Sequence, residues 1–198
     1  RTQYGSASTK SSQGGNQYPL PRAICRLLYT FCKVRGVKVI SRFLNNEPKY
    51  LDSMLRAFIE WDAVRPSNSE EVVESETQRL IWEERYVMLV WLSHLLLAPF
   101  DLSSLSSDNI PVPYDNLQQL TWLPSETPMI ARALLSLSLH YIGASGKERE
   151  AATALLARLS LRGDMQALGM LTGLTKWAFA TIQPTENVES PSVYACIG

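Results

Sequence analysis

Two histidines, three cysteines and one Gly/Ser/Lys turn are the places where this chain of 198 residues could carry out bond chemistry. Each falls short of a catalytic or metal-binding pattern. His94 lies in an apolar stretch and His140 follows Leu139, with no HExxH, no second histidine at i+4 and no cysteine cluster beside them. Both read as packed structural side chains, and no Ser/His/Asp arrangement can be assembled around them. Gly143-Ala144-Ser145-Gly146-Lys147 lacks the GxxxxGK[ST] spacing of a phosphate loop and no strand precedes it. Cys25 and Cys32 are seven residues apart on a helical pattern, about 10.5 Å of rise, too far for an unstrained disulfide. With Cys196 they make no zinc spacing, so a reducing, cytoplasmic setting is expected, with no metal and no cofactor.

The remaining candidates are groups that bind rather than react. From Arg22 to Arg56 eight basic residues face only Glu47 and Asp52, and Lys33, Arg35, Lys38 and Arg42 are grouped around Gly36, a helix breaker. One reading is a solvated face, which basic residues commonly form. The other is docking onto an acidic protein surface. Nucleic acid is disfavoured: Lys plus Arg equals Asp plus Glu at 19 each, and no aromatic platform is interleaved with the charges. Trp122, between Pro-containing stretches, is either an exposed interface anchor or part of a small cluster tying its loop down. Trp82, Tyr86, Trp91 and Phe100 are expected in the core.

The elements that would position these groups are all helical. Ile24, Leu27, Leu28 and Phe31 fall at i, i+3, i+4, i+7, as do Leu51, Met54, Leu55 and Phe58, and each set predicts a helix with one buried stripe. Ile130 to Tyr141, Ala152 to Leu159 and Ala167 to Ala178 repeat the pattern. Pro48 and Pro128 suit first helical turns, Thr127 and Asp164 are candidate caps, Ser145 with Glu148 has capping-box spacing, and Gly163 is a candidate stop. Leu80 to Leu97 is apolar nearly all round after Arg85, the mark of a central helix, and its apolar run is too short to cross a bilayer. Residues 1–19 are Ser/Gly/Gln-rich and expected to be disordered, and 184–198 form a polar tail. Residues 64–75 and 102–124 are expected as long loops interrupting helical repeats over 20–183. The chain begins at Arg1, which fits an excerpt or a processed product. Paired helices succeeding one another at this period, each needing a neighbour to bury its face, predict an all-α, HEAT/armadillo-like helical repeat solenoid fragment.

Several local strings narrow this further. Lys33-Val34-Arg35-Gly36 with Lys38, then Trp82 with Arg85-Tyr86 and Trp91-Leu92-Ser93, then Pro99-Phe100-Asp101-Leu102, Arg149-Glu150-Ala151-Ala152, Arg162-Gly163-Asp164 and Trp177, together resemble the tubulin-specific chaperone D family. Val64 to Thr77 and Leu102 to Leu123 carry no clear family pattern. The resemblance implies a cytoplasmic, microtubule-associated scaffold without catalytic residues of its own. It would bind β-tubulin, work with tubulin cofactors E and C in assembling or dismantling the α/β-tubulin heterodimer, and bind an ADP-ribosylation-factor-like small GTPase. Two alternatives stand beside it: a structural spacer of the solenoid, and a GTPase-activating module in which Arg35 would be the candidate finger.

Overall fold

In the computed structural model, residues 19–63, 80–105 and 109–182 are described. They form helices and turns, with no strand among the described residues. The order is α1 (Leu20–Arg35), α2 (Val37–Ile40), a 3-10 turn at Ser41–Phe43, α3 (Tyr50–Ala63), α4 (Trp82–Leu95), α5 (Leu102–Leu105), a 3-10 turn at Asp115–Gln119, α6 (Met129–Ile142), α7 (Lys147–Ser160), α8 (Gly163–Ala167) and α9 (Met170–Ile182).

α4 is the central helix that its all-round apolarity predicts. Tyr86 to Val90, Leu92 and Leu95 are buried, and α1, α3 and α7 all pack against it. α7 lies between α4 and α6, and the buried stripes Ala152, Leu155, Leu156, Leu159 and Ile130, Ala133, Leu134, Leu137, Tyr141 form the shared seam. α3 buries Leu51, Leu55 and Phe58 as its periodicity requires.

Five expectations change. In α1 the packed face is Cys25, Leu28, Tyr29 and Cys32, whereas Ile24, Leu27 and Phe31 are exposed. The helix carries two apolar arcs and α4 covers one of them. Trp82 and Phe100, expected in the core, are 40% and 52% exposed. Within 102–124 the chain forms α5 and the second 3-10 turn and buries Leu102, Ile110 and Leu120. Ala167–Ala178 is not one helix, because Gly169 takes φ +74° and separates α8 from α9. The expected caps also differ: α6 and α7 start at Pro128 and Gly146 without a side-chain cap bond, and Thr127 Oγ1 is buried without a partner. The expected loop at 64–75 and the two tails lie almost wholly outside the described residues.

Candidate functional site

The basic turn is built by Gly36. At φ +86°, ψ 144° it holds a conformation open to glycine, its N–H closes α1 on the Cys32 carbonyl at 2.9 Å, and α2 begins at the next residue. Lys33 and Arg35 therefore end α1, Lys38 sits in α2 and Arg42 in the following 3-10 turn. All four are exposed, and among the described residues none has a carboxylate within ion-pair distance. The same helix's Arg22 and Arg26 differ: they reach Glu84 at 3.5 Å and Glu83 at 3.2 Å, fastening α1 to the first turn of α4. Glu84 also accepts the Ile81 N–H at 2.8 Å, so its buried charge is shared between a helix N-terminus and a guanidinium.

A second polar cluster joins four helices and a loop. Asp62 Oδ2 accepts hydrogen bonds from the hydroxyls of Tyr114 and Tyr141, both at 2.6 Å, while Oδ1 accepts Arg85 Nε at 3.1 Å. Arg85 Nη1 also lies 3.9 Å from Glu148. Burial opposes the Asp62 charge, but the two hydroxyls and the guanidinium outweigh it and hold the carboxyl below its usual range. Burial and the Asp62 charge push both tyrosines above theirs. His140 stacks flat on Tyr114 with ring centroids 3.7 Å apart, and burial keeps it below the ordinary histidine value. Both Asp62 oxygens are engaged, and the cluster is a latch across α3, α4 and α6.

Pro99-Phe100-Asp101-Leu102 and Arg162-Gly163-Asp164, far apart in sequence, meet in a clasp. Arg162 donates to the carbonyls of Leu96 (2.6 Å), Ala98 (3.1 Å) and Phe100. Its Nε also pairs with Asp164 at 3.1 Å. Asp164, expected to cap the helix that follows Gly163, lies inside α8 and accepts the Met165 N–H at 3.0 Å, and it also accepts the Leu102 N–H at 2.8 Å and so caps α5. Burial raises the Asp164 carboxyl, but Arg162 and these backbone N–H groups prevail and bring it below its usual value. The clasp borders an open cleft of about 470 Å³ rimmed by Leu97, Phe100 and Leu161, with Arg158 at its wall.

The aromatic candidates are mostly occupied by packing. Trp122 is half-buried, and its ring lies so close to Gly173 of α9 that a Cβ there would strike it. The loop-tying reading fits this placement, whereas an exposed anchor does not. Trp91 Nε1 donates to the Asn45 carbonyl at 2.7 Å. Trp82 and Tyr86 meet Tyr29 edge-on at 4.7 and 5.3 Å, joining α4 to α1. Trp177 is half-buried against the core from α9. Pro99 and Asp101 are exposed beside the clasp. The His94 ring is half-buried, its Nδ1 without a partner, and burial next to Arg158 lowers its pKa. Burial, with Glu84 and Glu83, pushes the Cys25 thiol up to about 11. No group of His, Cys, Asp and Glu among the described residues could hold a metal ion, and no described helix is long and apolar enough to cross a membrane.

Stacked amphipathic helices fastened by buried ion pairs, with exposed charge on a turn, define an armadillo-type helical repeat scaffold. A family model for the ARM repeat of tubulin-specific chaperone D-like proteins matches residues 6–182, and the chain belongs to that family. Tubulin-folding cofactor D of Schizosaccharomyces pombe is 25% identical over 151 residues, 76% of this chain. The chain spans about 10% of that relative's length. No solved structure matches.

Proposed function

We propose that this chain is a protein-binding segment of a tubulin-folding cofactor, acting as a scaffold while the chemistry of GTP hydrolysis belongs to its partners. Membership of the tubulin-specific chaperone D-like family over residues 6–182 carries the reading. In it the repeats take part in holding β-tubulin during heterodimer assembly or disassembly, together with cofactors E and C and an ADP-ribosylation-factor-like small GTPase, in the cytoplasm and at microtubules. The Gly36 turn is the docking point: Lys33, Arg35, Lys38 and Arg42 are exposed and have no carboxylate partner among the described residues. Exposed cations of this kind attract acidic protein surfaces in a salt-dependent way.

A second reading is favoured by the apolar side chains left uncovered on α1 and α9, among them Leu20, Leu27, Phe179 and Ile182. These are the faces a structural spacer would stack on neighbouring repeats. Capture of purified β-tubulin and of the small GTPase, at low and at high salt, separates the two. Salt-sensitive capture of either supports the docking reading, and a helical chain that captures neither supports the spacer.

A further inference from the structure

α1 has a face that nothing described covers. Leu20, Ile24, Leu27, Phe31 and Val34 recur at spacings of three and four, so they form one stripe along the helix, and all five are exposed, Leu20 and Val34 at 70% and 72%. The stripe runs beside the face that packs on α4 and is separate from it. Exposed apolar side chains continue in sequence through Val37, Val39 and Phe43. Single exposed apolar residues are ordinary, but a helix-long row of them marks an interaction surface.

The charges along this helix are arranged unevenly. At the Leu20 end, Arg22 and Arg26 are engaged by Glu84 and Glu83. At the Gly36 end, Arg35 borders the stripe and is exposed with no carboxylate partner among the described residues, Lys33 lies on the far side of the helix, and Lys38 and Arg42 follow in the next two turns. The surface is therefore an apolar groove-filler with a positive pole at one end.

We propose that α1 docks an amphipathic helix of a partner protein, its apolar stripe laid on Leu20–Val34 and its acidic first turn set against Arg35, which borders the stripe. Charge complementarity selects the acidic helix. It also sets direction, because carboxylates belong at a helix N-terminus, where they favour the helix dipole. With that end beside Gly36, the docked helix runs antiparallel to α1. Apolar anchors at successive turns of such a helix supply affinity, and the end charges supply orientation. The proposal makes specific the reading of the Gly36 turn as a docking point and rests on it, while leaving open which protein supplies the helix.

The test uses the whole chain and two capped synthetic helices of about 18 residues. Both carry leucines at i, i+4, i+7, i+11 and i+14 and equal numbers of glutamates, placed in the first turn of one and in the last turn of the other. Fluorescence anisotropy should show tighter binding of the first by about tenfold, a preference that shrinks in high salt. The double change Leu27→Ser, Phe31→Ser should abolish binding of both, and Arg35→Glu should erase or invert the preference whereas Lys33→Glu, on the far side of the helix, should change it far less. These side chains are exposed, so circular dichroism should show the fold intact.

Four results would overturn the proposal: no binding to the native chain, binding indifferent to Leu27 and Phe31, equal binding of both helices at all salt concentrations, or self-association of the chain through the stripe. If the helix binds while β-tubulin is not captured, the surface stands and the tubulin reading fails. If neither helix binds while β-tubulin is still captured, the tubulin reading stands and the surface fails.

Discussion

Tyr141, near the end of α6, donates its hydroxyl to Asp62, near the end of α3, at 2.6 Å across 79 residues of sequence. Tyr114 and Arg85 complete the carboxylate's shell, so one side chain ties α3, α4, α6 and the segment before α6 together. Asp62→Asn keeps the shape and removes the charge. It is expected to destabilise the chain by about 2–3 kcal/mol, the range for charge-assisted bonds at a mostly buried site. Because the folded-state carboxyl is held below its usual value, its contribution is full above the unfolded pKa and is lost as pH falls through the folded one. Urea titrations at neutral and acid pH should show the difference between native and variant shrinking below about pH 4.

Arg162 holds three backbone carbonyls of the turn after α4. Arg162→Ala should cost about 2–4 kcal/mol and free the turn, seen as faster hydrogen exchange at residues 97–102. Arg162→Lys should recover only part of this, since an ammonium cannot reproduce the fork of a guanidinium.

Gly173→Ala places a methyl where the Trp122 ring stands and should destabilise by about 1–3 kcal/mol through overpacking. Combined with Trp122→Leu, the alanine should cost less than it does alone. A double-mutant cycle read by thermal or urea unfolding measures that coupling.

Gly36→Ala meets no neighbouring atom, yet φ +86° with ψ 144° is disfavoured for any residue with a Cβ. A loss of about 1–3 kcal/mol is expected from backbone strain alone, measurable by thermal unfolding. The same change should disturb the basic turn and weaken salt-dependent binding there.

The helices and most of their buried stripes were legible because a period of 3.6 residues is a local signal, and Leu51 to Phe58 and Ile130 to Tyr141 lie where it puts them. α1 misleads for a physical reason. Ile24, Leu27 and Phe31 and the neighbouring Cys25, Tyr29 and Cys32 are both apolar arcs, and periodicity cannot say which one a neighbour covers. The Asp62 latch was illegible because its partners are 23, 52 and 79 residues away, and Asp164 caps a helix 62 residues before it. Trp122 was legible as an unusual loop aromatic, but the absence of a Cβ at Gly173 that makes room for its ring gives no local signal. The Gly36 turn was legible in full as a cluster of charge around a helix stop.

The most direct measurement is the equilibrium affinity of purified β-tubulin for the intact chain and for the variant Lys33→Glu, Arg35→Glu, Lys38→Glu, at low and high salt, with helicity checked by circular dichroism. The account requires that the native chain bind, that salt weaken it, and that the variant lose about tenfold or more at low salt while staying helical. Equal affinity of native and variant chains, or no binding by either, would contradict it.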